Sequence, residues 1–210
     1  MCGIVGYIGK DNVTDILVDG LRHLEYRGYD SAGIAVFENG QIRTVKTRGR
    51  LDDLTRKMET EGKPAGHCGI GHTRWATHGE PSDINSHPHG NKAVSIVHNG
   101  IIENYMAVKE FLQDKGYTFE SQTDTETIAK LLDYYYNGNP LEAIRAVLAK
   151  IHGSYALAII FQDFPEKIFA TRKDSPLIVG VGSGENFIAS DVPAILKHTR
   201  NYYLLEQDEI

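Results

Sequence analysis

Cys2 stands directly after the initiator methionine, and that placement is the first chemical possibility the chain offers. A small second residue favours removal of Met1, which would leave a thiol and a free α-amino group on one residue. A terminal amine titrates at about 7.7 to 8.0 and a thiol at about 8.5. Near neutrality the amine can therefore take the thiol proton directly or through one water, and no histidine base is required. The same cysteine also fits a plainer role, packing as a small hydrophobe at the start of a strand.

Three further groups of residues carry chemistry. Val97-His98-Asn99-Gly100-Ile101 reads as a strand running into an Asn-Gly turn. Such a turn can set an Asn99 side-chain amide beside the Gly100 backbone N–H, and two donors aimed at one point make an oxyanion hole, although most Asn-Gly pairs are only turns. The run from Gly71 to Gly79 gathers Arg74, Trp75, Thr77 and His78. An Arg offers a planar fork for a carboxylate, and a Trp offers a wall that excludes water. Asp124, within Gln122 to Glu126, supplies the opposite charge for an ammonium group, or else caps a helix. An Arg and an Asp together suit an amino-acid zwitterion.

Six of the nine histidines fall between residues 67 and 98, so a metal has to be weighed. Cys68, His72, His78, His87 and His89 are possible zinc ligands, but their spacing matches neither paired CxxC motifs nor HExxH on a helix. The simpler reading is that these histidines bond to the backbone and shape a loop. A non-catalytic module that binds an amino acid or zinc through the Arg74 segment is the competing class of function.

These residues need a scaffold. Gly3 to Ile8 reads as a buried strand, and Val13 to Leu24 carries Ile16, Leu17, Leu21 and Leu24 at helical spacing. Strands at 32–37 and 41–46 around Glu38-Asn39-Gly40 form a hairpin signal, and a helix is expected over 51–59. Strands at 68–73 and 92–98 flank a polar loop over 74–91, and helices are expected over 105–115, 125–136 and 141–151, the last with Pro140 at its start. A strand-rich stretch follows, at 154–161, 168–171, 177–181, 187–189 and 202–205. Runs of strands separated by runs of helices favour an α+β layered domain over a repeating βαβ one.

The 210 residues allow one well-buried core and favour a single domain, with no internal repeat or linker. A net charge of -6 and a pI near 5.8 argue against a nucleic-acid or anionic-membrane surface. No apolar run approaches the roughly 18 residues of a membrane span, and no basic and apolar leader follows Met1, so the expected compartment is the cytoplasm. Two cysteines make no secreted disulfide framework and leave free thiols. The chain stops at Gln207 to Ile210 with no loop or tail, as expected of a piece cut at a domain edge.

With these residues in place, the whole chain resembles the class II glutamine amidotransferases, and among them the glutaminase domain of the isomerising glutamine:fructose-6-phosphate aminotransferases. The matching stretches are Met1 to Gly6, Leu24 to Gly33, Gly71 to Gly79, Asn85 to His89, His98 to Asn104, Thr123 to Glu126 and Glu185 to Asp191. The branch acting on phosphoribosyl pyrophosphate typically has a His where Tyr26 stands and Tyr-Ser-Thr in place of Trp75 to Thr77; it is the alternative. The resemblance implies a four-layer αββα sandwich of the N-terminal-nucleophile (Ntn) hydrolase fold. It makes Cys2 the nucleophile and gives Asn99 and Gly100 the oxyanion hole. Arg74 would hold the glutamine α-carboxylate and Asp124 the α-ammonium, Thr77 and His78 would complete the pocket, and Trp75 would gate ammonia transfer. Arg27 and His87 would support the site. No metal or organic cofactor is implied. Residues 1–210 would be the N-terminal part of a longer, homodimeric protein whose downstream sugar-isomerase domains bind fructose 6-phosphate.

Overall fold

A computed structural model describes residues 2–210. Its centre is a pair of antiparallel sheets. The first has seven strands in the order β11-β9-β10-β1-β4-β2-β3, and the second has four in the order β5-β6-β7-β8. The strands of the first sheet are β1 (Gly3–Ile8), β2 (Ser31–Glu38), β3 (Gln41–Arg48), β4 (Cys68–Arg74), β9 (Ile178–Val181), β10 (Asn186–Ala189) and β11 (Tyr202–Leu204). Those of the second are β5 (His89–Gly90), β6 (Val94–Ile102), β7 (Gly153–Phe161) and β8 (Phe169–Lys173).

Alternation along the strands builds three apolar layers. Val5 and Tyr7 of β1 face α1 (Val13–Arg22) and α2 (Leu51–Glu61), whose Leu17, Leu21, Leu51, Leu54 and Met58 complete the outer core. Ile4 of the same strand turns the other way, meeting Ile70, Val97, Ala156, Ala158 and Ile188 between the sheets. On the far side, Ile96, Ile102, Leu157 and Phe161 pack against α3 (Tyr105–Asp114), α4 (Asp124–Tyr135) and α5 (Pro140–Leu148). The result is four layers, helix on sheet on sheet on helix, as the resemblance implied. Val13, Leu17 and Leu21 are fully buried, each stabilising the fold by roughly 1.5–3 kcal/mol relative to exposure. A Cβ at Gly71 would sit 3.1 Å from Leu21 Cδ1, so β4 runs bare where α1 presses closest.

Local chemistry starts the elements where the site needs them. Asn12 accepts the Thr14 N–H at 3.0 Å to cap α1, and Thr123 accepts the Glu126 N–H at 3.3 Å to cap α4. The hairpin turn is Asn39-Gly40 with φ of 51° and 78°. Lys46 Nζ on β3 donates to Ile84 O, Ser86 O and Pro88 O at 3.2, 2.8 and 3.2 Å, pinning the long segment before β5, which includes a cis His87–Pro88 bond.

One expectation is corrected. Asn99 and Gly100 do not form a turn; they lie inside β6, opposite Ala156 and Tyr155 of β7, and the strand continues to Ile102. Gly100 has φ of 133°, and a Cβ there would lie 2.1 Å from Ser154 O, so the glycine serves a distorted, closely approached strand. The helices and strands otherwise fall where the apolar spacing put them, to within a few residues. The short β5, inside the expected polar loop, went unread because two residues carry no periodicity.

Candidate active site

Cys2 immediately precedes β1, a central strand whose Gly3 pairs with Thr73 of β4. That register brings the end of β4 against the thiol. Cys2 Sγ accepts the Trp75 N–H at 3.2 Å and lies 3.5 Å from Trp75 O. From the second sheet Asn99 Nδ2 donates to Cys2 O at 3.2 Å. Burial pushes the Cys2 thiol up, opposed by the Trp75 N–H and the charge of Arg74. Cys68 is different: buried between the sheets with no charged neighbour to oppose it, its thiol is pushed up to about 12.

The segment after β4 curls around its own arginine. Arg74 is buried, and its Nη2 donates to His78 O and, at 2.8 Å, to Gly79 O, while Nη1 has no partner among the described residues. Asp30 holds the same segment from β2's leading edge, its N–H donating to Arg74 O at 2.7 Å and its carboxylate accepting the Ala76 N–H at 2.5 Å. Trp75 is 53% exposed, its ring lying over Gly28, where a Cβ would be 2.7 Å from Cζ3 and φ is 78°. His78 meets Thr77 Oγ1 at 3.3 Å and packs edge-on to Tyr105.

Asp124 is the first residue of α4 and not its cap, which is Thr123. Its carboxylate accepts the Ile102 N–H at 2.9 Å, leaving it buried beside Thr125 and 3.9 Å from His98 Nδ1. Thr125 Oγ1 joins His87 Nε2 at 2.8 Å and His98 Nδ1 at 3.0 Å, and His87 stacks on His72 with centroids 4.2 Å apart. Burial lowers every one of these imidazoles, His72 to about 3 and His87 and His89 well below the usual range, so the cluster is neutral. Among the described residues no three His, Cys, Asp or Glu side chains are grouped to hold a metal ion.

Cys2, Arg74, Trp75, Thr77, His78, His87, Gly100 and Asp124 thus line one cavity of about 20 Å³, joined by His98, Thr123 and Thr125. Asn99 stands just behind it, bonded to Cys2. Arg27 does not line it; its guanidinium pairs with Asp191 at 3.3 Å, and Asp191 also accepts the Tyr26 hydroxyl at 2.5 Å. His98, Thr123 and Thr125 lie in stretches quoted for the resemblance, yet no local signal separates them from cap and core residues, because they meet only across the second sheet and α4. A larger cleft of about 720 Å³ runs between β3 and α4, and three of the lysines lining it are engaged: Lys46 by three carbonyls, Lys57 by Asp83 at 3.0 Å, Lys130 by Glu126 at 3.5 Å.

Residues 72–197 match the family model described as a glutamine amidotransferase domain. The chain belongs to that family. The amidotransferase domain is 59% identical over 212 residues to the isomerising glutamine–fructose-6-phosphate aminotransferase of Caldanaerobacter subterraneus subsp. tengcongensis, and 51% identical over 214 residues to that of Thermus thermophilus. Each match covers 100% of this chain and 35% of the relative. The domain therefore spans about a third of the length of the curated relatives it matches. Among solved structures, the glutamine phosphoribosylpyrophosphate amidotransferase from B. subtilis, complexed with ADP and GMP, superposes with a TM-score of 0.85 at 25% identity, covering 98% of this chain and 46% of that one. The α+β sandwich is thus the Ntn fold of the amidotransferases. No helix among the described residues is long and apolar enough to cross a membrane.

Proposed function

We propose that the amidotransferase domain hydrolyses the side-chain amide of L-glutamine, with Cys2, freed by removal of Met1, as nucleophile. Cys2 Sγ attacks the amide carbon as its proton passes to the residue's own α-amine. The resulting oxyanion is held by Asn99 Nδ2 and the Gly100 N–H. Collapse expels ammonia, protonated by the α-ammonium, and leaves a γ-glutamyl thioester. Water then attacks, returning its proton to the amine, and glutamate departs with the thiol restored.

Arg74 takes the α-carboxylate through its guanidinium fork, whose Nη1 is buried without a partner among the described residues. Asp124 takes the α-ammonium, and Thr77 and His78 close the pocket. Arg27 and His87 are supports: Arg27 braces the 26–28 turn under Trp75, and His87 ties Thr125 to the histidine cluster. A cavity of about 20 Å³ holds roughly one water. Glutamine therefore needs the irregular 75–80 segment to move, and Trp75, at its start, is suited to open and close the passage.

The observation that carries this reading is the meeting of Cys2 with the Trp75 N–H and the Asn99 amide beside Arg74 and Asp124. In a full-length protein the ammonia would pass to fructose 6-phosphate in downstream sugar-isomerase domains, giving glucosamine 6-phosphate. Identities of 51–59% to aminotransferases of that name favour this branch over phosphoribosyl transfer, whose structural relative is 25% identical. Intact-mass spectrometry paired with a glutaminase assay tests the core of it. Material lacking Met1 should release ammonia, and Met1-retaining protein and Cys2→Ala should not, at unchanged circular dichroism. Hydrolysis by Cys2→Ala would end the proposal.

A further inference from the structure

We propose that His72 is a positioning residue that sets the orientation of the Asn99 side-chain amide and so aims the oxyanion-binding N–H; this rests on the role given to Asn99 above. His72 lies on β4 with its ring wholly buried, facing β6 across the gap between the sheets. Its Nε2 is 2.9 Å from Asn99 Oδ1 and 3.0 Å from His98 O. Both partners are acceptors, since Asn99 Nδ2 is the group that donates to Cys2 O. Nε2 must therefore carry the hydrogen.

One tautomer follows. Burial holds the ring neutral, with its pKa lowered to about 3, so Nδ1 is bare, and Nδ1 is also buried without a partner among the described residues. The ring thus has a single bonding edge, and that edge addresses Asn99. His87, stacked 4.2 Å away and itself tied to Thr125, keeps the ring from turning. Rotating the Asn99 amide by half a turn would set N–H against N–H at His72 and oxygen against oxygen at Cys2. An asparagine amide is otherwise free to choose either face; here a neighbouring sheet chooses for it.

The role separates from general support of the core by coupling. His72→Gln keeps a donor at about the reach of Nε2, and His72→Asn is polar but too short. His72→Asn should lower kcat for glutamine hydrolysis about 10-fold to 100-fold, part of the roughly 10²-fold to 10³-fold that loss of an oxyanion donor brings. KM should stay within about twofold, and His72→Gln should recover most of the rate. In an Asn99→Ala background His72→Asn should add less than about twofold, because the amide it orients is gone. Alkylation of Cys2 by iodoacetamide, which builds no oxyanion, should keep its rate, and the pH profile should not move. Multiplying losses in the double variant, equal impairment of Gln and Asn variants, or alkylation falling in step with kcat would overturn the proposal. If Asn99→Ala alone kept full kcat, the oxyanion reading itself would fall, a result distinguishable from the others.

Discussion

At the scale of single residues, the two cysteines show how position outweighs type. Cys68 is a core methylene in effect: buried between sheets, its thiol pushed up to about 12 and supplied with no cation or N–H to favour the thiolate. Cys2 has the Trp75 N–H on its sulfur and Arg74 nearby. An electrophilic glutamine analogue should therefore label Cys2 stoichiometrically and leave Cys68 unmodified in the folded protein, as read by peptide mass mapping; label on Cys68 would contradict the assignment. Arg74 makes a second prediction at this scale. Its fork is already half engaged by backbone carbonyls, so the remaining face is pre-aimed, and a lysine would bring charge without the planar geometry. Arg74→Lys should raise KM for glutamine by about 10-fold to 100-fold, the range of a charged hydrogen bond lost, and affect kcat less.

The elements decide where those residues stand. β6 carries Asn99 toward the gap between sheets and His98 toward α4, because successive residues of a strand face opposite sides. Gly100 is the point of least tolerance on that strand, with φ of 133° and a neighbouring carbonyl oxygen 2.1 Å from any Cβ. Gly100→Ala should destabilise the fold by about 2–4 kcal/mol, combining backbone strain with overpacking. Gly138→Ala, with φ of 98° and open space around it, should lose only the strain, about 1–2 kcal/mol. Urea midpoints of the two variants decide it, and equal losses would mean that the close approach of β7 is not the constraint. Thr123→Ala, removing the cap of α4, should lower stability by about 1 kcal/mol and raise KM, since the first turn it fixes holds Asp124.

For the whole molecule, the neutral histidine cluster sets a pH dependence of stability. His72, His87 and His89 are bases whose folded pKa lies below the ordinary value of about 6.5. The unfolded chain binds protons at these residues as pH falls through 6.5, and the folded chain does not until near pH 3 for His72. Their contribution is therefore fully present above about pH 7 and lost as pH falls below 6.5, at about 1.4 kcal/mol per pH unit for each histidine. Urea denaturation between pH 5 and 8 should give a midpoint that is flat at the top and falls steeply below 6.5. His89→Gln, which can still bond Thr123, should reduce that slope by one proton. An unchanged slope would place His89 outside the titrating set.

Most of this architecture was legible in the residues themselves. The 3.6-residue spacing of Val13, Leu17 and Leu21, the Asn39-Gly40 turn and the alternation of β1 are local signals, written by the same steric and solvation forces that act in the fold. The chemical types of Cys2, Arg74 and Asp124 likewise suggested a thiol nucleophile and a zwitterion pocket, the reading proposed above, and the fold brings the three residues to one cavity. What tertiary structure alone decided is which groups face one another. The Asn-Gly pair looked like a turn and is a strand, since pairing with β7 supplies hydrogen bonds no local pattern records. His72, weighed as a zinc ligand and read more simply as bonding to the backbone, lies buried 3.0 Å from His98 O and 2.9 Å from Asn99 Oδ1, 27 positions away on another sheet. Contacts of that kind depend on strand register and sheet packing, which are set by the sum of the core and not by the residues that meet there.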